Sequence, residues 1–475
     1  MKRKSFAASF LFLTGCTLSM SHDERVENIL PAPTLCVNEE IPFFRRGDWP
    51  DKNWWEQYQL NELNDLIDLA LCENPTIQSV RARIDYAKSQ AVIAKSKYMP
   101  LIYFDTNDQW DYLSENGLYR ALNPSIPLSN SQIDFSLSFF YEFDFWGKYH
   151  NLYHAELSRE RMAIAETAQA ELIASTSLAQ AYFALRTNLL RKKLFVELVE
   201  VRKKYFDLQT NMLQNSLYSK LVPLLSEEDL FQAEQWVYSI EQEIAVNQHL
   251  VNILAGRGPD TPLLLDEPLE PLPERLSVPD NISLELLSRR PDLMAQIWRL
   301  DALALEVGAA KADFWPNGNI TGLLGFQSGS WSNLFEWISK TVGITPGLSL
   351  PVYTAGAIQA GIDAKRALYD EAVYQYNELI LQSFNQVADL LSIGRSVYGE
   401  KELQLKIVTN AKARYGLTLL RRANGLDNSL QALRFQEELI QKRLEDVQLL
   451  FQQYLVSISL TRALGGGFCC AGGGG

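Results

Sequence analysis

The sequence predicts a mainly α-helical protein that also carries two pairs of long β-strands suited to a membrane. Three observations lead there. Between Ile133 and Phe145 every odd-numbered residue is large and apolar (Ile133, Phe135, Leu137, Phe139, Tyr141, Phe143, Phe145), while the even ones are mostly polar, Phe140 excepted. That alternation makes a two-faced strand. It exceeds the about 5–6 residues of an average strand and suits the about 9–11 residues of a tilted bilayer crossing. On both sides of it the apolar spacing is helical for tens of residues. The same order of helix, strand, strand and helix then returns in the second half of the chain.

The N-terminus points to an envelope independently. Lys2, Arg3 and Lys4 form a basic region, Ser5 to Phe12 an apolar run, and Leu13-Thr14-Gly15-Cys16 ends it with small residues before a cysteine. The run is too short to span a bilayer as a helix, so residues 1–15 are expected to be a cleaved export signal. The Leu-Thr-Gly-Cys ending resembles the bacterial lipobox, which implies diacylglycerol on the Cys16 thiol. Thr17 stands where an inner-membrane retention signal would place Asp, so the resemblance favours the outer membrane. Residues 16–60 would then be a lipid-anchored N-terminal segment.

The remaining chain reads as two copies of one plan, 61–257 and 281–464, joined by a connector at 258–280. Asn74-Pro75 opens a helix that stops at Tyr98-Met99-Pro100, and Arg290-Pro291 opens one that stops at Phe314-Trp315-Pro316. The offsets agree, since 291 − 75 = 216 and 316 − 100 = 216. Strands are expected at about 101–110 and 132–146 in the first copy, and at about 319–328 and 341–353 in the second. In the last of these, Val342, Ile344, Leu348, Leu350 and Val352 share a face that Pro346 interrupts. After Gly147 and Gly356 come very long helices. The seam Leu194, Leu198, Val201, Tyr205, Leu208, Met212 and the seam Ile440, Leu444, Val447, Phe451, Tyr454, Ile458 both follow heptad spacing, which packs helices side by side. The stretch from His150 to about Leu217 would extend about 100 Å. Helical breaks are expected near Lys220 to Ser226 and Arg421 to Asn428. The six prolines between Gly258 and Pro279 mark the connector, and residues 465–475 read as a glycine-rich disordered tail.

Charge and composition narrow the function. The formal net charge of −13 argues against nucleic acid, whose phosphates require clustered Lys and Arg. No segment after the signal approaches 18 uninterrupted apolar residues, so spanning falls to the strands. Four strands leave open edges that lipid does not tolerate. Three chains would supply twelve strands and close a barrel, with the helices continuing it as a tube. Enzyme chemistry and cofactors are not expected. His150 and His154 have i,i+4 spacing but no third ligand in sequence, so no metal site is assigned, and Walker loops, serine elbows and Cys-x-x-Cys pairs are absent. Cys36 and Cys72 could pair in an oxidising compartment.

The motifs that run through the chain in order are Trp54-Trp55, Asn74-Pro75, Arg81-x-Arg83-Ile84, Asp144-x-Trp146-Gly147, Gln232-Ala233-Glu234, Leu254-Ala255-Gly256-Arg257, Arg289-Arg290-Pro291-Asp292 and Ala463-Leu464-Gly465-Gly466-Gly467. In this order and spacing the chain resembles the TolC-like outer membrane factor family, in its lipoprotein, NodT-type branch. The resemblance implies a homotrimer: an outer-membrane β-barrel of four strands per chain and twelve per trimer, continued by a long periplasmic α-helical coiled-coil barrel. It also implies docking to a periplasmic adaptor protein and to an inner-membrane transporter of the resistance-nodulation-division or a similar type. The duct would conduct small molecules passively out of the cell, with the odd-numbered face of Ile133 to Phe145 towards lipid.

At the periplasmic tip the chain departs from the family pattern. Members commonly carry an Arg-Tyr pair, a Gly-Leu turn and an Asp on the next helix, whereas here the turn reads Arg421-Arg422-Ala423-Asn424-Gly425-Leu426-Asp427 and Arg434 stands at the Asp position. The matching turn of the first copy is expected at Pro223 to Asp229. A gate would set Arg421, Arg422 or Arg434 against Glu227, Glu228, Asp229 or Asp427; the other reading of these residues is solvated charge at helix ends. Two further functions compete with the duct. A structural coiled-coil envelope lipoprotein without channel activity would have no bilayer-facing strands, and a periplasmic adaptor would have one helical hairpin rather than two copies.

Overall fold

The computed structural model describes residues 43–215, 219–263, 265, 269, 272, 276–279 and 282–468. Cys16, Cys36, Cys469 and Cys470 lie outside them, and with them the lipidation site and one half of the suggested disulfide. Cys72 is exposed.

The first copy runs α1 (Asn61–Glu73), α2 (Pro75–Ser96), β2 (Leu101–Tyr112), α3 (Leu118–Leu122), β3 (Ser129–Phe143), α4 (Lys148–Gln214) and α5 (Leu221–Leu254), after β1 (Phe44–Arg46) and a 3-10 turn at Trp54–Tyr58. The second runs α6 (Ile282–Arg289), α7 (Pro291–Ala312), β5 (Asn317–Ser328), β6 (Lys340–Ser349), α8 (Ala357–Ala423) and α9 (Ser429–Ala463). In the connector, β4 (Leu276–Val278) pairs in parallel with β1. The repeat is close: α2 and α7 have 22 residues each, β2 and β5 have 12 each, and α4 and α8 have 67 each. At about 1.5 Å per residue each long helix reaches about 100 Å.

Local chemistry sets the boundaries. The Asn74 side chain accepts the Thr76 N–H at 2.8 Å, with Pro75 at the first helical position, which satisfies one terminal donor and wastes none. The Asn74 amide also donates to the Leu254 carbonyl at 2.8 Å, so the start of α2 is tied to the end of α5. Arg290 does the corresponding work in the second copy, donating to Asp292, Gln386 and the Ala463 carbonyl. Gly147 and Gly356, at φ +70° and +83°, turn the chain from barrel into helix in a conformation side chains disfavour.

The four-stranded sheet has the order β2-β3-β5-β6, antiparallel throughout. The limits of all four strands differ somewhat from the sequence reading, β2 running two residues further than expected, to Tyr112. β3 begins earlier, at Ser129, and ends at Phe143, leaving Phe145 beyond it and stacked on Phe143 at 5.4 Å. β5 begins two residues earlier than expected, at Asn317. β6 ends at Ser349 rather than 353, because Pro351 has no N–H for a ladder. Pro346 is accommodated inside β6, which is an edge strand of this chain.

The helices form two arcs. In one, α5 packs on α4, α4 on α9 and α9 on α8; in the other, α2 packs on α4, α4 on α7 and α7 on α8. α4 is therefore central, α8 ends both arcs on one side, and α2 and α5 end them on the other. At mid-height Trp54, Trp55 and Tyr58 are buried against Tyr182, Phe183 and Tyr454. Phe183 and Tyr454 stack at 3.9 Å, and the Tyr58 and Ser457 hydroxyls are 2.9 Å apart. Further along, the expected seams meet, with Leu198, Val201, Ala233 and Ile440 forming a buried cluster across α4, α5 and α9. Glu306 on α7, almost fully buried, accepts from Arg159 of α4 and from Lys365 of α8 at 2.7 Å, joining three helices through one carboxylate. Among the described residues no helix is long and apolar enough to cross a membrane.

Candidate functional site

The sheet has two chemically distinct faces. Register places Ile102, Phe104, Phe135, Leu137, Phe139, Ile320, Leu324, Val342, Ile344 and Leu348 on one of them. On the other lie Asp105, Asn107, Asp111, Gln132, Asp134, Ser136, Ser138, Glu142, Asn319, Gln327 and Thr341. That face carries four carboxylates, and among the described strand residues no Lys or Arg. The carboxylates are held by local donors. Ser138 Oγ donates to Asp105 at 2.5 Å, Gln109 to Asp111 at 2.9 Å, Gln132 to Asp134 at 3.1 Å and Asn317 to Glu142 at 2.5 Å. Such a surface suits water and polar or cationic solutes, and the opposite one suits hydrocarbon.

Of the seven residues expected towards lipid, Leu137, Phe143 and Phe145 are well exposed, Phe135, Phe139 and Tyr141 are partly exposed, and Ile133 is only 1% exposed. Ile133 departs from the expectation because the loop after β5 folds onto this end of the apolar face. Trp331 and Phe335 from that loop pack edge-on against Phe135 at 6.0 and 5.7 Å, and Leu334 is fully buried.

Where sheet meets helices, Trp146 stacks on Trp315 at 4.8 Å and donates its ring N–H to the Pro316 carbonyl, and Lys148 pairs with Asp313 at 2.7 Å. A cleft of about 370 Å³ lies here, lined by residues of both copies including Glu142, Trp146, Tyr149 and Trp315. Burial and the neighbouring Glu142 push the Tyr149 phenol up to about 12. The His150 and His154 rings lie 4.3 Å apart, and among the described residues no group of three or more His, Cys, Asp and Glu is placed to hold a metal.

The tip differs from the sequence reading in one element. Pro223, Glu227, Glu228 and Asp229 do not form the turn; they occupy the opening turns of α5, which begins at Leu221, while α4 ends at Gln214. Proline is compatible with this because the first helical turn has no partner for its N–H groups. The other turn is as expected, with Gly425 at φ +72° and the Asn428 side chain capping α9 through the Gln431 N–H. Within one chain Arg421 pairs with Asp427 at 2.7 Å, which raises the guanidinium pKa further. Arg422, Glu228, Asp229 and Arg434 are exposed and Glu227 half-buried; among the described residues none of their side chains forms an ion pair.

One tip residue escaped the sequence reading. Arg202, buried on α4, donates twice to Glu437 of α9 at 3.0 and 2.8 Å and once to the Asp229 carbonyl of α5 at 2.5 Å. Its guanidinium lies 5.1 Å from the Trp236 ring. Arg202 follows the seam residue Val201 directly, and that adjacency was the available signal.

The comparisons with known proteins agree with this geometry. The profile of a family described as outer membrane efflux protein matches residues 66–242 and 283–466. The multidrug resistance outer membrane protein MdtQ of Escherichia coli O6:H1 is 25% identical over 464 residues, covering 96% of each chain. The solved outer membrane protein VceC of Vibrio cholerae superposes with a TM-score of 0.79 at 28% identity, over 88% of this chain and 100% of that one. The outer-membrane channel OprN superposes with a TM-score of 0.83 at 21% identity, over 92% of this chain and 97% of that one.

Proposed function

The chain belongs to the outer membrane efflux protein family, and from that premise we propose that three copies close into one continuous duct that carries small molecules through periplasm and outer membrane. It acts as the exit conduit of a tripartite efflux system. The observation that carries the assembly is the matched set of open edges. The sheet ends at β2 and β6, and the helical arcs end at α2 with α5 and at α8. An unpaired strand edge in lipid leaves backbone groups unsatisfied, each at a cost of several kcal/mol, so β6 of one chain would pair with β2 of the next. The helix edges carry the matching apolar surface, including Val92, Ile93, Phe231 and Val246 on one side and Leu381, Ile393, Leu403 and Leu417 on the other, all exposed in the single chain.

The apolar sheet face then meets lipid and the carboxylate face lines the lumen. Diacylglycerol on Cys16 would anchor the N-terminus to the same membrane. Partners at the tip would be a periplasmic adaptor and an inner-membrane transporter, with cargo selection left to the transporter. The unpaired Glu227, Glu228, Asp229, Arg422 and Arg434 side chains would meet between subunits, while Arg421 and Asp427 stiffen the turn. Mass measurement of detergent-extracted protein tests the assembly. A particle of three chains is expected, and a water-soluble monomer would overturn it.

A further inference from the structure

We propose that the loop 329–339 between β5 and β6 is a lipid-immersed lip, seated in the outer leaflet around the barrel rim rather than standing in water or folding over the lumen. This inference rests on the lipid-facing assignment of the apolar sheet face. Both strand-to-strand loops lie at the end of the sheet away from the long helices, because β3 and β6 lead directly into α4 and α8.

The loop is docked on the apolar side. Trp331 and Phe335 pack against Phe135, and Phe335 also against Phe326. Docking removes a liability on that face. Asp108 opposes Ile133 in the register and so projects a carboxylate from the apolar side; Ser131 Oγ donates to it at 3.1 Å and Trp331 Nε1 at 3.2 Å. Loop conformation is fixed internally by Ser330 capping Ser332 and by Ser339 Oγ donating to the Asn333 carbonyl at 2.7 Å. With one side so engaged, the loop still presents Trp337 and Ile338 at 77% and 87% exposure. Lys340 lies 3.9 Å from the Trp337 ring, an aromatic and cation pair of the kind that settles where acyl chains meet head groups.

The occupant is acyl chain, because the exposed Trp331, Phe335, Trp337 and Ile338 extend the apolar strand face, while the exposed Ser332, Asn333 and Glu336 of the same loop reach for head groups and water. Trp110 and Tyr112, about two-thirds exposed, flank it on β2. A loop standing in water would leave these large apolar groups hydrated, which the hydrophobic effect opposes.

The test uses spin labels on the full chain reconstituted in phospholipid vesicles, with Cys36, Cys72, Cys469 and Cys470 replaced by serine and Cys16 kept. Labels are placed by Ile338→Cys, by Leu137→Cys in the middle of β3, and by Asn116→Cys in the β2–β3 loop. Collision rates with oxygen, which concentrates in lipid, and with a water-soluble nickel chelate are compared. The expected result is oxygen-dominated collision at 338 and 137 and nickel-dominated collision at 116. Nickel-dominated collision at 338 alone overturns the lip, as does low collision with both probes, which would place the loop against a neighbouring subunit. Nickel-dominated collision at 137 as well would instead overturn the membrane reading of the strands.

Discussion

Arg202 offers the sharpest quantitative expectation at the tip, because one side chain joins three helices. Replacing it by alanine removes both donors to Glu437, the donor to the Asp229 carbonyl and the contact with Trp236. Breaking a buried pair by removing one partner costs about 3–5 kcal/mol. The Glu437 side chain keeps 27% exposure, so water recovers part of that, and about 2–3 kcal/mol is expected. The loss falls on local opening of the tip, since the buried aromatic cluster around Tyr58 and Phe183 lies elsewhere on α4. At about 1.4 kcal/mol per tenfold, amide exchange in peptides covering 221–236 should accelerate about 30- to 150-fold. Hydrogen exchange read by mass spectrometry on the assembled protein measures this directly, with Arg434→Ala as the exposed, unpaired control. Exchange in 221–236 that stays within about twofold of wild type would refute the reasoning.

Three further outcomes follow from the same geometry. Leu137→Arg places a charge in the middle of the lipid face and should cost about 2–4 kcal/mol, lowering the yield of assembled trimer, while Ser136→Arg on the opposite face leaves that yield unchanged. Gly465→Ala should prevent assembly: Gly465, expected from the sequence in a disordered tail, is instead packed at φ +94°, where an added Cβ would meet the Arg289 carbonyl oxygen at 2.0 Å and the backbone conformation alone costs about 1–3 kcal/mol. Tyr149 should ionise near pH 12 rather than 10, read as the ultraviolet difference between wild type and Tyr149→Phe. Its folded-state pKa is raised, so its contribution is fully present below pH 10 and is lost as pH rises through about 12.

Much of the architecture was legible because it rests on periodicity and on proline and glycine punctuation. The Asn-Pro and Arg-Pro openings fall at the first residues of α2 and α7, and the glycines fall at the starts of α4 and α8. Features that depend on chain segments meeting in space were not legible. Ile133 fits the alternation perfectly and is buried only because a loop two hundred residues later folds over it. Glu227 to Asp229 look like a turn beside Pro223, yet proline in a first helical turn gives the same local signal. The Arg202 contact with Glu437 joins residues 235 positions apart, and no local pattern announces it.

The duct claim is tested most directly by single-channel conductance of the detergent-purified protein in planar bilayers, comparing wild type with the triple variant Glu227→Gln, Glu228→Gln, Asp229→Asn. Stable insertion with a small unit current in the wild type, rising in the variant, is the predicted result. Protein that never inserts or conducts in either form would contradict the duct and favour a scaffold role for the long helices.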